Sequence, residues 1–280
     1  MAKTKQKKFM ETTKIFFRYV LLLIAIFIWV IPVIWVVVTS LKTRADIFTI
    51  PPTIVFKPTL ENYKTALSFL GILSSIKNSL IIAIVTTFLT LLLAVPAGYA
   101  YSRLQFRFKK TLSFYTLFTQ MAPQIGLLIP FFIILTKLRL FDTYFSLIVI
   151  HLTITVPVSV WLMITYFQDL PREIEEAALV DGASRFTTFF RIMLPQVYGG
   201  MAVVGILSFI ESWNEFLFAS ILTGRTVRTV PVALFSFLTT EESLWGPFAA
   251  TGVMITAPVI IVAFLAQKQI IRGLTFGAIK

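Results

Sequence analysis

The chain alternates long apolar stretches with short polar, mostly basic ones. Five stretches contain no Asp, Glu, Lys or Arg: Tyr19–Leu41, Asn78–Ser102, Thr111–Thr136, Thr143–Gln168 and Ser243–Gln267. Each is close to the roughly 17–25 residues that carry a helix across a hydrocarbon core of about 30 Å, with tilt taking up any excess. A sixth stretch, Gln196–Gly224, is apolar apart from Glu211 and Glu215. Runs of this length are far too long for strands, and a lone strand in lipid would leave its backbone groups unpaired. The pattern therefore predicts an all-α, polytopic membrane protein with six transmembrane helices. Pro96, Gly98, Pro123, Pro130, Pro157 and Pro258 lie inside the runs and predict bends that line a cavity or a partner contact.

Composition agrees with the pattern. Of 280 residues, 57% are hydrophobic and 14% charged, whereas soluble globular chains carry about a quarter charged residues. A soluble enzyme is excluded. The net charge of +12 would suit nucleic acid if it formed one basic surface, but the basic residues gather at the ends of the apolar runs, where anionic headgroups explain them. Membrane lipid is thus an expected partner and nucleic acid is not. The stripe Arg103–Lys110, with Phe106 and Phe108 interleaved, reads in the same way as a lipid anchor. With no cysteine and one histidine, disulfides, thiolate catalysis and ordinary zinc sites are absent from the possibilities.

Direction follows from the same charges. The first run is longer than a signal-peptide core and ends at Val36-Val37-Val38-Thr39-Ser40-Leu41-Lys42 without a small-residue cleavage pattern, which predicts a retained anchor. With the N-terminus inside, the inner segments hold sixteen Lys and Arg, beginning with Lys3, Lys5, Lys7, Lys8, Lys14 and Arg18, and the outer segments hold nine. That bias places both termini in the cytoplasm.

The inner connection Asp169–Pro195 is far longer than a turn between helices requires. Asp169 and Pro171 predict a helix start, with Glu173 near the positive end of the dipole. Ile174, Ala177 and Ala178 predict a small apolar stripe opposite Glu175 and Glu176, ended by Asp181-Gly182. Ser184 then caps a second helix through Phe186, Phe189, Phe190 and Met193, which Leu194-Pro195 is expected to stop. Spacing alone leaves two readings, an interfacial hairpin without a partner and a docking element for another protein.

Glu176-Ala177-Ala178, three residues, Gly182, nine residues and Ile192-Met193-Leu194-Pro195 closely resemble the EAA motif of ATP-binding-cassette importer permeases. Further short patterns resemble the sugar-importing, maltose-type branch. They are Leu60-Glu61-Asn62-Tyr63, Lys77-Asn78-Ser79-Leu80, Ala97 to Arg103, Trp213-Asn214-Glu215-Phe216, and Arg272-Gly273-Leu274-Thr275 with Gly277-Ala278. The resemblance implies a single transmembrane permease domain over residues 1–280 with the type I importer fold, containing a cytoplasmic coupling hairpin over 169–195. It assigns ATPase coupling to Glu176, Ala177, Ala178, Gly182, Ile192, Leu194 and Pro195. It also implies a bacterial or archaeal inner membrane, a second and different permease subunit, two cytoplasmic ATPase subunits and an extracytoplasmic sugar-binding protein. The loop Arg225–Glu242, leading to Trp245, would reach toward that protein; Trp245 is equally an ordinary interfacial anchor.

The chain has no GxxxxGK[ST] loop, so it is not expected to be an enzyme or to bind a cofactor; ATP and Mg belong to the partner ATPase. Glu211 and Glu215 are expected on one helical face with Ser208 a turn earlier, and carboxylates at membrane depth need water, a cavity or a partner. They fit the outer half of a translocation pathway, with Trp213 and Asn214 stacking on and bonding to a sugar. The reading favoured over this is that one or both pair with basic residues across a subunit contact, since the resemblance implies that substrate contacts fall largely on the other permease. His151 reads as a packed, hydrogen-bonded histidine, and Asn78, Gln120, Gln124 and Thr155 as interhelical hydrogen bonds or pathway groups. An ion-coupled secondary transporter and a non-transporting structural subunit are the alternatives; polar groups and broken helices suit the first, and the capped inner hairpin suits neither.

Overall fold

The computed structural model describes residues 2–68, 71–238 and 243–276, with side chains described from Lys14 onward, except for 265, 266 and 268–276. The elements are helical: α1 (Ala2–Ser40), α2 (Arg44–Ile47), α3 (Glu61–Ser68), α4 (Ile72–Arg103), α5 (Lys109–Phe118), α6 (Gln124–Lys137), α7 (Tyr144–Gln168), α8 (Arg172–Val180), α9 (Arg185–Thr187), α10 (Leu194–Gln196), α11 (Tyr198–Asn214), α12 (Leu217–Leu222), α13 (Val230–Phe235) and α14 (Trp245–Phe276). Within α1, α4, α7 and α14 lie four segments long and apolar enough to cross a membrane singly. Two bent pairs raise the number to as many as six if each pair makes one span: α5 with α6, bent by 93°, and the Arg185–Gln196 segment with α11, bent by 75°.

The third run is therefore not the straight helix its composition suggested. Pro123 has no N–H to offer, and it drives Ala122 into extended backbone (ψ 127°), so α5 ends in a 3-10 turn at Thr119–Met121 and α6 starts afresh at Gln124. The run Gln196–Gly224 also divides, at Val197 and again at Glu215-Phe216, and the second span begins at Ile72, taking in Lys77.

The described residues form two compact units, 2–68 with 237–238 and 243–254, and 71–236 with 255–276. In the first, Asn62 donates its side-chain amide to the carbonyls of Ser40 (2.9 Å) and Lys42 (2.7 Å), and the Tyr63 hydroxyl meets Ser40 Oγ at 2.8 Å. A Cβ at Gly246 would collide with the Asn62 amide, so this corner closes only around glycine. Lys42 is 2% exposed and lies over the rings of Trp35 and Phe56, 4.9 and 5.4 Å from their centroids. Trp245, 45% exposed, packs edge-on against Phe248.

The second unit is built around α4, α7 and α11. Gly98 sets the approach of α4 to α7: a Cβ there would stand 2.5 Å from Met163 Cβ and 2.9 Å from the Met163 carbonyl carbon. Small residues serve this purpose in membranes, where backbones attract by close packing and not by escape from water. At one end Ala94, Tyr99, Met163, Phe167, Phe189 and Met193 share a core; at the other, Ile82, Leu147, Ile150 and Phe218 share another.

Candidate functional site

The segment 169–195 starts differently from the sequence reading. Asp169 ends α7, and Pro171 (ψ 137°) stands at the N-cap of α8, so Asp169 does not cap that helix. Its buried face is also different. Glu175 (8% exposed) and Ala178 (6%) point inward, while Glu176, Ala177 and Val180 face outward. Ala177 and Ala178 thus lie on opposite sides of the buried boundary, and Glu175 leaves the polar face assigned to it. Its carboxylate accepts a hydrogen bond from the Tyr99 hydroxyl (2.7 Å) and lies 3.7 Å from Arg103 Nε.

Arg103 has a side chain only 4% exposed, so it is not a lipid anchor. Its guanidinium donates to the carbonyls of Phe167 and Leu170, unsatisfied groups at and just beyond the end of α7, where a cation also meets the negative end of the helix. One arginine and one carboxylate thereby join α4, α7 and α8.

Gly182 follows with φ +84°, a conformation that side chains with a Cβ adopt at a cost. There Gly182 N bonds to Leu179 O (3.1 Å) and Ala183 N to Ala178 O (3.0 Å), closing α8. Ser184 caps α9, accepting from Thr187 N at 3.1 Å. Pro195 does not end the segment. A π-turn at Thr188–Met193 shifts the hydrogen-bond register before it, and Pro195 sits in the first turn of α10, where no N–H is needed. Ile192 and Leu194 are half-buried and Pro195 is exposed.

Glu211 and Glu215 do not share one helical surface. Helix α11 ends at Asn214, and Glu215 turns to cap α12, accepting from Phe218 N (2.7 Å) and Ala219 N (3.0 Å). Glu215 Oε2 lies 3.4 Å from His151 Nε2, and His151 Nδ1 lies 2.7 Å from Ser212 Oγ. Trp213 is 2% exposed and stacks on Phe209, so it offers no face to a sugar. Asn214 is exposed.

Glu211 and Ser208 line a cleft of about 290 Å³ with Gln120, Gln124, Thr155 and Ser159. Its position follows from two prolines. Pro123 breaks the third span, and Pro157 leaves Thr153 O without its usual helical donor; Gln120 Nε2 bonds to that carbonyl at 3.2 Å and to Ile154 O at 2.8 Å. Thr155 bonds to Thr90 (2.7 Å), and Ser159 to Ser208 (3.1 Å).

At the opposite end of this unit, Asn78 donates to Thr226 O and Arg228 O and accepts from the Tyr144 hydroxyl, and Ser79 Oγ accepts from Val230 N. Asp142 accepts from Thr226 N (3.0 Å) and Val227 N (2.9 Å). Burial raises its pKa, but backbone hydrogen bonds from Thr226, Val227 and Gly224 outweigh this and hold the carboxyl below the ordinary carboxylate range. Sequence reasoning missed Asp142, Glu175 and Arg103 as structural partners. Thr239–Glu242 and Gly277–Lys280 lie outside the described residues, as do the side chains of Arg272–Thr275. Among the described residues, no three His, Asp or Glu side chains gather to hold a metal.

Residues 90–275 match the family of binding-protein-dependent transport system inner membrane components. The chain belongs to this family. It is a multi-pass permease component of the ABC transporter class. The trehalose/maltose transport system permease protein of Thermococcus litoralis is 38% identical over 253 residues, covering 89% of this chain and 91% of that protein. A probable ABC transporter permease of Sinorhizobium fredii is 35% identical, covering 91% of each. Among solved structures, a chain of a bacterial ABC transporter that imports the acidic polysaccharide alginate aligns with TM-score 0.71 and 25% identity, covering 90% of this permease and 94% of that chain.

Proposed function

We propose that this permease is one of two different membrane subunits of an ATP-driven sugar importer, fed by an extracytoplasmic binding protein and driven by two cytoplasmic ATPase subunits. Both termini lie in the cytoplasm. Relatives named for trehalose/maltose, sulfoquinovosyl glycerol and trehalose transport support a glycoside cargo. The Lys and Arg distribution supports the topology, as does the grouping of Arg103, Phe167 and α8 at one end of the second unit and Asn78, Asp142 and Thr226 at the other.

The buried tie of Glu175 to Tyr99 and Arg103 is the observation that carries this reading. It fixes the inner face of α8 to two spans, leaving Glu176, Ala177, Val180 and the Gly182 turn presented outward as a knob. A partner that binds this knob differently in its two nucleotide states would move α4 and α7 with it; differential binding is the physical source of such work. Ile192, Leu194 and Pro195 extend the knob toward α11. Ser208 and Glu211 line the route through the second unit, with Asn214 at the end of α11; Trp213 and Glu215 support the wall from behind.

The test is reconstitution of the purified complex in proteoliposomes with sugar-loaded binding protein and ATP. Import that requires both ATP and the ATPase subunits is expected, and import without either sinks the proposal. Gly182→Asp should leave the chain inserted and abolish coupled import, because the left-handed turn strains any side chain and the knob gains a charge. Normal coupled import by that variant would remove the docking assignment.

A further inference from the structure

The cleft beside the broken third span holds one formal charge and no opposite one. Glu211 is exposed within it and has no hydrogen-bond or ion-pair partner among the described residues, and the lining contains no Lys or Arg. The remaining polar groups are amides and hydroxyls. Gln120 spends its amide nitrogen on Thr153 O and Ile154 O, which leaves its side-chain carbonyl available, and Gln124 stands exposed at the start of α6. The hydroxyls of Thr155, Ser159 and Ser208 are buried and bonded to Thr90 and to each other, so the cleft offers a solute the two amides under an uncompensated negative field, with apolar walls that lower the local dielectric. Its volume of about 290 Å³ is near the lower end for small-molecule pockets.

We propose that Glu211 is a charge filter on the cargo: the cleft admits neutral polyhydroxylated solutes and disfavours those bearing carboxylates, such as uronic acid sugars. The proposal rests on the reading of this chain as a sugar permease and adds the class of sugar and the residue that selects it. It places cargo discrimination on this subunit, in Glu211 and the Gln120 and Gln124 amides that line the same cleft. It also separates this cleft from the duty of the similarly folded alginate importer, which carries an acidic polysaccharide.

The chain contains no cysteine, so Gln124→Cys introduces a single thiol into the cleft wall of the assembled complex. The rates at which a cationic and an anionic methanethiosulfonate reagent modify it are measured and divided by their rates on a free thiol. A carboxylate across a partly desolvated cleft should favour the cationic reagent about tenfold, and Glu211→Gln should return the ratio to near one. A control thiol, Thr226→Cys in the exposed loop beside Asp142, should show no effect of Glu211→Gln.

A ratio already near one, a ratio unmoved by Glu211→Gln, or a thiol that neither reagent reaches overturns the filter. The cargo class is read by protection. Glucose should slow labelling of the Gln124→Cys thiol, glucuronate should not, and Glu211→Gln should equalise them. Equal protection with Glu211 in place, or none from either sugar, overturns that part. Neither measurement requires transport, so a complex that imports no sugar would sink the proposed function while the labelling ratio still judges the filter.

Discussion

At the scale of single residues, the Glu175 carboxylate ties α8 to α4, and Arg103, which without it would be a buried cation held only by carbonyls, carries the tie on to α7. Glu175→Ala should cost about 3 kcal/mol, the usual penalty for removing one member of a buried pair, seen as a lower Tm of the purified complex. Glu175→Gln should recover part of this by accepting from Tyr99. A positioning role predicts more: ATP hydrolysis in Glu175→Ala should persist while sugar imported per ATP falls. Asp142 supplies a pH signature. Its folded pKa is depressed, so its contribution is present above the unfolded value of about 3.9 and is lost as pH falls through the folded value. Wild-type Tm should therefore drop below about pH 4 more steeply than that of Asp142→Asn, and parallel profiles would show that the clasp on Thr226 and Val227 is unimportant. Gly182 was legible in the sequence because Asp-Gly after a helical stripe has few backbone solutions. Glu175 was not: beside Glu176 it looks like part of a solvated face, and Arg103, which lies far upstream in the chain, gives no local sign that it comes to meet it.

At the scale of elements, apolar length revealed the spans, and proline revealed where they bend but not by how much. Pro123 breaks its run, whereas Pro157 stays inside α7 and Pro96 inside α4. The difference lies in what receives the freed backbone group, and Gln120 reaching Thr153 O is a tertiary fact that no local pattern encodes. Glu211 and Glu215 show the same limit. Four-residue spacing predicts a shared face only while the helix continues, and the turn at Glu215 ends it. Gly98 is the most demanding position in the α4–α7 pair. Gly98→Leu should cost roughly 3 kcal/mol through overpacking against Met163 and lower the yield of folded protein, while Gly126→Ala, with open space around it, should leave Tm almost unchanged.

At the scale of the whole molecule, a count of uncharged runs sufficed for an all-helical membrane protein, and the motif around Gly182 sufficed for its family. The proposed sidedness has a direct check, since the chain lacks cysteine. In sealed right-side-out vesicles, Thr226→Cys should react with an impermeant maleimide and Lys110→Cys, beside Arg172 of α8, should react only after the membrane is opened. The reverse pattern would put α8 on the wrong face for any cytoplasmic motor. Helix α4 ties these faces together. It runs unbroken for 32 residues, and its clasps at Asn78 and Tyr99 are roughly 31 Å apart at 1.5 Å per residue, close to the thickness of the hydrocarbon layer itself. In the proposed importer, a tilt of this rod that moves Tyr99 and α8 also moves the Asn78 clasp on the Thr226 and Arg228 carbonyls, so a push at one face reaches the other without a separate messenger.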